Sequence, residues 1–256
     1  MAWFPTDTGR IYYEVHGAQG EETEPLTLLH NFMSTGKQAW GALLPALGRG
    51  YRVLLPDLPG HGRSEGHPRD FDHGAMARQL AALMAAEGAL QGHLAGVSSG
   101  GMIALRMVHQ GHAHPGTLAL VSTTYSNAPE VLGPTVRLTP DRFRAGRNWL
   151  EATARLHDPH HRPGYFQEVL LPAFRRLTPE RTVDLSPEEL ARMAMPACIV
   201  HGAEDEFFPP HIPRTMAQAM PRAELHLIPG QGHALIFRRP WQVRDILLDF
   251  LSRHPL

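Results

Sequence analysis

The chain has 256 residues, 43% of them hydrophobic and 19% charged, with a formal net charge of -1. That suits one or two globular domains with a sizeable core, and it lacks the basic field that a nucleic-acid or anionic-membrane binder needs. A single cysteine, Cys198, excludes an intrachain disulfide, and no apolar run approaches the roughly 18 residues of a membrane span.

The start, "MAWFPTDTGR", has no charged segment followed by an apolar one, so no signal peptide and a cytoplasmic location are expected. "GRIYYEVHG" (9–17) alternates like a half-exposed edge strand, while "LTLLHNF" and "YRVLLPD" are short apolar runs of the buried parallel kind. "FDHGAMARQLAALMAAEGAL" has helical spacing, with Met76, Leu80, Leu83 and Met84 on one face. "GHLAGVS" then reads as a strand, "GGMIALRMVHQ" as a helix and "GTLALVST" as a strand. After a gap come "ACIVHG" (strand), "IPRTMAQAM" (helix), "AELHLIP" (strand) and "WQVRDILLDFLSRH" (helix). The rhythm predicts βαβ units: an α/β fold with a mostly parallel sheet and helices on both faces. Cys198, inside "PACIVHG", is expected as a small buried strand residue.

Residues 125–187 break the rhythm. They hold no convincing strand, several prolines, and two amphipathic stretches, "RFRAGRNWLEATARLH" and "GYFQEVLLPAFRRL". The segment is too long for an ordinary connection. It is expected to be a helical insertion over the end of the sheet, leaving 1–124 and 188–256 as the core. Phe143, Trp149, Leu150, Tyr165, Phe166, Leu170 and Phe174 would supply its apolar lining.

"GVSSGG" (96–101) fits G-x-S-x-G only with Ser98 at the centre. A strand-to-helix turn this tight strains its central residue, and side chains two positions away would collide. The strain projects the central hydroxyl outward and turns the next amide, on Ser99, toward a developing oxyanion. A serine hydroxyl needs a base. Among 17 histidines, His233 stands out, in a glycine-rich loop directly after the strand "ELHLI". Loops at the carboxyl ends of parallel strands are where open α/β sheets place their sites. The imidazole needs an acid, and "IVHGAEDEFFPP" offers Glu204, Asp205 and Glu206. His30 and His201 each end a strand and are expected to brace loops. Asp57 is read as a loop brace. The cluster His157, Asp158, His160 and His161 is read as a polar loop of the insertion, not a metal site.

Nearly the whole chain resembles the α/β-hydrolase superfamily. "LLHNF" is similar to its oxyanion-strand motif, "DLPGHGRS" (57–64) to the loop after the next strand, and "GVSSGG" to its nucleophile elbow. "HGAEDEFFP" matches its acid motif with the acid at Asp205, and "GQGH" its histidine motif. The order serine, acid, histidine is also that family's order. The resemblance implies an eight-stranded, mostly parallel sheet with a helical cap. It implies Ser98 as nucleophile, Asp205 as orienting acid and His233 as general base, with the backbone amides of Phe32 and Ser99 as oxyanion donors. It implies a serine hydrolase of a small carboxylic ester or lactone, needing no cofactor and no metal. Serine at the elbow argues against the epoxide hydrolases and haloalkane dehalogenases of this fold, which use aspartate. Carbon–carbon bond hydrolases and perhydrolases share the motifs, and some members of the fold only bind ligands. The expected partner is a small-molecule substrate, with no nucleic acid and no membrane. Where the family usually has glycine this chain has Asn31, so a left-handed backbone is expected there, in a loop that aims the Phe32 amide.

Overall fold

A computed structural model describes residues 1–18, 20, 22–66, 71–133 and 147–256. Eight strands form one sheet: β1 (Ala2–Thr6), β2 (Gly9–Gly17), β3 (Pro25–Leu29), β4 (Arg52–Pro56), β5 (His93–Val97), β6 (Thr117–Val121), β7 (Ala197–Gly202) and β8 (Ala223–Ile228). Their spatial order is β1-β2-β4-β3-β5-β6-β7-β8. Only β1–β2 and β2–β4 pair antiparallel. The remaining pairs are parallel, as the alternating rhythm predicts.

The expected edge strand is not at the edge. β1 covers the outer side of β2, and Ile11 through Glu14 are buried in succession. The true edge is β1, which tolerates Pro5 because a strand with one free side can spare an amide.

The parallel register aligns strand ends. Leu29 pairs with Gly96, Val97 with Val121, Val121 with Val200, and Gly202 with Ile228. The loops that follow β3, β5, β6, β7 and β8 therefore leave from one end of the sheet. Helices α1 (Gly36–Trp40), α2 (Leu44–Leu47), α10 (Leu235–Arg238) and α11 (Pro240–Ser252) cover one face. Their Trp40, Leu47, Ile236, Phe250 and Leu251 pack on Leu28, Val97 and Val200. Helices α3 (His73–Ala86), α4 (Ser99–His109) and α9 (His211–Ala219) cover the other, around Met76, Leu80, Ile103, Leu105, Ile212 and Met216. Cys198 is fully buried in mid-β7.

Between β6 and β7 lie α5 (Pro129–Leu132), α6 (Arg147–His157), a π-helical turn (Phe166–Leu170) that runs into α7 (Leu171–Arg175), and α8 (Pro187–Leu190). The wide turn precedes Pro172, whose missing N–H and bulky ring prevent an ordinary α-helical bond to the preceding turn. The two stems of this segment pair with each other. Ser126 and Asp184 form an antiparallel bridge, the Asn127 amide donates to Val183, and the Leu185 amide donates to Tyr125. Part of the expected helix "RFRAGRNWLEATARLH", including Phe143, lies outside the described residues.

Candidate active site

Ser98 joins β5 to α4 with φ 51° and ψ -118°, a strained geometry for any residue but glycine. The surroundings impose it. The Ser98 amide donates to Val121 (2.9 Å), and the Ser98 carbonyl accepts from the Thr123 hydroxyl (2.7 Å) and the Met102 amide (3.1 Å). A Cβ on Gly96 would stand 2.4 Å from the Gly100 carbonyl oxygen, and one on Gly100 2.4 Å from the Leu29 oxygen. The glycine frame is thus a matter of backbone contact, as the pentapeptide implies. Thr123, 25 residues from Ser98, carries no motif that would have flagged it.

His233 Nε2 lies 3.0 Å from Ser98 Oγ, and its Nδ1 lies 2.9 Å from Asp205 Oδ2. An ionised carboxylate only accepts, so Nδ1 carries the proton and the Nε2 lone pair faces the hydroxyl. The rings of Phe207 and Phe208 meet His233 edge-on at 5.0 and 5.1 Å. Of the three acids that follow β7, only Asp205 is buried. Its Oδ1 accepts from the amides of Phe207 (2.8 Å) and Phe208 (2.9 Å). Burial alone would raise the Asp205 carboxyl, but the charge of His233 and hydrogen bonds from His201 and His233 outweigh it and hold the group well below the usual carboxylate range. Glu206 instead accepts the His233 backbone amide at 3.0 Å. His201 Nε2 donates to the Phe208 carbonyl (2.8 Å) and lies 3.2 Å from Asp205 Oδ2, so it braces the acid loop as expected.

The loop after β3 carries Phe32. His30 is fully buried and locks this loop: Nδ1 donates to the Asn31 carbonyl (2.7 Å), and Nε2 accepts the Leu58 amide (2.8 Å). That pairing requires a neutral ring, and burial pushes His30 down to about 3. The left-handed residue of the loop is Met33 (φ 60°), not Asn31. The chain turns after Phe32, so the backbone at position 31 needs no special freedom. Asn31 instead donates from Nδ2 to the Phe32 carbonyl (3.2 Å) and lines the cavity. The Phe32 amide has no acceptor among the described residues, and the Ser99 amide, first in α4, has none within its helix. Both residues line the same cavity as Ser98 and His233.

That cavity encloses about 540 Å³. Its walls are mainly apolar: Phe32, Met102, Trp149, Leu156, Phe174 and Phe237. Of the residues expected to line an insertion pocket, Trp149 and Phe174 do so. Tyr165, Phe166 and Leu170 do not; they are buried in the main apolar cluster, with Phe166 stacked on His157. Leu150 packs against that cluster from its rim. Ala152, Thr153 and Leu177 also line the cavity, and no sequence pattern singles them out.

The stretch "LHDPHHRPGY" fastens the segment to the core. His157 Nδ1 accepts the Gly62 amide (2.9 Å), and the Tyr165 hydroxyl donates to the Gly60 carbonyl (2.8 Å). Asp158 accepts the amides of Gly164 and Phe166. Asp57 is the loop brace expected of it, accepting the amides of Gly36 (2.8 Å) and Arg63 (3.0 Å). Among the described residues, one group of metal-ligating type converges within 4.8 Å: Cys198, Glu224 and His226. Both Glu224 oxygens already accept from Arg253, and one also pairs with His226. Burial, then the Glu224 charge, keeps the Cys198 thiol protonated.

Among the described residues no helix is long and apolar enough to cross a membrane. Known proteins place the chain. It is 27% identical over 263 residues to the Pseudomonas savastanoi protein named "Putative carbamate hydrolase RutD", covering 94% of this chain and 99% of that one. It is also 27% identical over 251 residues to the 2-hydroxymuconate semialdehyde hydrolase of Pseudomonas sp. strain CF600, covering 89% and 87%. The solved structure of a thermophilic esterase from Thermogutta terrifontis superposes with a TM-score of 0.75 at 23% identity, covering all of both chains, which speaks to the fold. The model of the Alpha/beta hydrolase family matches residues 15–243, and the chain belongs to that family.

Proposed function

We propose that this hydrolase cleaves a small carboxylic ester or lactone through an acyl-enzyme on Ser98. The observation that carries the reading is the hydrogen-bonded line Ser98–His233–Asp205 opening into an apolar cavity. His233 Nε2 takes the Ser98 proton as Oγ attacks the carbonyl carbon. The amides of Phe32 and Ser99 stabilise the oxyanion. Collapse breaks the bond to the alkoxy oxygen, which leaves with the proton held on His233. Water then gives a proton to His233 and attacks the acyl carbon, and the returned proton restores Ser98. Asp205 stays ionised and steadies the imidazolium.

In this reading residues 125–187 are a cap, seated by His157 and Tyr165, and they choose the substrate. Turnover of short-chain p-nitrophenyl esters and of lactones by the purified protein tests the proposal. Failure of every ester and lactone, with release of product from a carbamate or a dienoic diketone, would replace it. The second of those readings, carbon–carbon bond hydrolysis, draws its support from the similarity to the semialdehyde hydrolase.

A further inference from the structure

His233 is held at two points by two acids that are neighbours in the chain. Asp205 Oδ2 takes the ring through Nδ1 (2.9 Å), and Glu206 Oε2 accepts the main-chain amide of the same histidine (3.0 Å). The loops after β7 and β8 run side by side to allow this. The Ala203 amide donates to the Ile228 carbonyl (3.0 Å) and the Glu204 amide to the Gln231 carbonyl (2.9 Å). The His233 amide is the next link between the loops, and there a charged side chain takes the place of a main-chain carbonyl. Two glycines permit the approach. A Cβ on Gly202 would stand 2.3 Å from the Gln231 carbonyl oxygen, and one on Gly232 2.6 Å from Glu206 Oε2. Gly232 is not among the left-handed glycines, so the site uses its missing side chain and not its backbone freedom.

The division of labour follows from the bonds. Asp205 sets the ring's direction but touches nothing of the histidine's main chain; its other oxygen is committed to the Phe207 and Phe208 amides. The main chain of His233 is the pivot from which Nε2 reaches Ser98, and Glu206 is what fastens it. An ionised acceptor binds an amide more strongly than a neutral one does. Its negative charge also stands within one residue's length of the imidazole. Glu206 is exposed, so solvent weakens that charge without removing it. Among the described residues, the other charged groups around this loop are Asp205 at the ring, and Glu204, Arg238 and Arg239 in the groove that His233 and Glu206 also line. His201 lies behind Asp205.

We propose that Glu206 is a positioning residue of the reaction: it fixes the main chain of His233 so that Nε2 meets Ser98, and its charge favours the imidazolium that forms as Ser98 attacks. This rests on the hydrolase reading above.

The test compares kcat and KM for p-nitrophenyl butyrate from about pH 5 to 9, with every rate divided by the fraction of sites that a fluorophosphonate titrates. Glu206→Ala should lower kcat by about ten-fold with KM changed by no more than about two-fold. Glu206→Gln keeps an oxygen that can accept the His233 amide and should recover most of that loss. In both variants the acid limb of the kcat/KM profile should move to lower pH by about half a unit, because the imidazolium has lost a nearby negative charge. Gly232→Ala pushes the carboxylate aside while leaving Glu206 in the chain. It should slow kcat by a similar factor, and adding it to Glu206→Ala should cost little more. The glutamine variant carries the test if the alanine variant fails to fold. An acid limb that stays in place in both Glu206 variants would overturn the inference. So would a loss of rate that disappears on division by titrated sites, which would mean that Glu206 serves stability alone. If Ser98 is labelled but the ester is not turned over, the rate of labelling across the same pH range should show the same pattern, and its absence would overturn the inference. No turnover and no labelling in the wild-type protein would remove the hydrolase reading, and this inference with it.

Discussion

The loops at the carboxyl ends of the strands and the segment between β6 and β7 achieve their geometry by opposite means. The elbow is made by local necessity: Gly96 and Gly100 leave no room for a Cβ, and the end of β6 and the first turn of α4 hold the Ser98 amide and carbonyl. The β6–β7 segment is placed by distant partners, with His157 and Tyr165 reaching Gly62 and Gly60 across about a hundred positions. In the proposed reading, chemistry sits on the first kind of structure, which tolerates little change, and substrate choice on the second, where side chains change without moving the backbone.

The largest effects should come from the rigid end. Ser98→Ala should lower kcat by about 10⁴ or more, while Ser99→Ala, which keeps its backbone amide, should retain most activity. Steady-state kinetics of the two variants decide it, and similar losses in both would mean that the elbow is centred elsewhere.

The oxyanion loop sharpens the contrast at single-residue scale. Met33→Val places a β-branched side chain at φ 60° and should misdirect the Phe32 amide, costing up to roughly 10²–10³ in kcat. Met33→Gly should stay near wild type. Asn31→Val meets no such strain and should cost far less than Met33→Val. If the two valine variants behave alike, the left-handed turn is not what aims the loop.

Those two predictions also show where sequence reading stops. The elbow is legible because a steric demand for glycine writes itself into five adjacent letters. Asp205 and His233 are legible because short loops after strands leave few places for them to stand. The left-handed turn at Met33 is not: a family preference for glycine pointed two residues early, to Asn31. Thr123 is silent in sequence because its partner lies 25 positions away. β1 escaped notice because five residues containing a proline resemble a frayed terminus until β2 is there to pair with. Helical spacing says which residues of 125–187 face inward, but not whether inward means the cavity, as for Phe174, or the core, as for Phe166.

Within the segment, Phe166→Ala should destabilise the protein by about 3–5 kcal/mol without changing the ranking of acyl chain lengths. Trp149→Ala should change that ranking with a smaller loss of stability, since its ring borders the cavity. Thermal melts beside kcat/KM for C2 to C10 esters separate the two roles. A reversed pattern would exchange the assignments.

Acid should loosen the fold through its buried histidines. Burial holds His30 and His73 down to about 3 and His157 to about 4, and pushes His61 well below its ordinary value. The unfolded chain binds protons at these groups from about pH 6.5 downward, and the folded chain does not. Stability present above that pH is therefore lost on acidification, by up to about 1.4 kcal/mol per pH unit for each histidine. Asp57, raised to about 6 by burial, works the other way between about pH 6 and 4, as one group against four. Melting temperature should fall between pH 7 and pH 5. His157→Gln, which keeps an acceptor for Gly62, should flatten the slope slightly. A melting temperature that stays level across this range would contradict the picture of neutral histidines under the segment.

The central claim is that His233 activates Ser98. The most direct test is the rate and site of fluorophosphonate labelling, followed by mass spectrometry of the intact protein and its peptides. One label per chain is predicted, on Ser98, with the rate falling by about 10² or more in His233→Ala. Labelling at Ser99, no labelling at all, or a rate indifferent to the loss of His233 would contradict it.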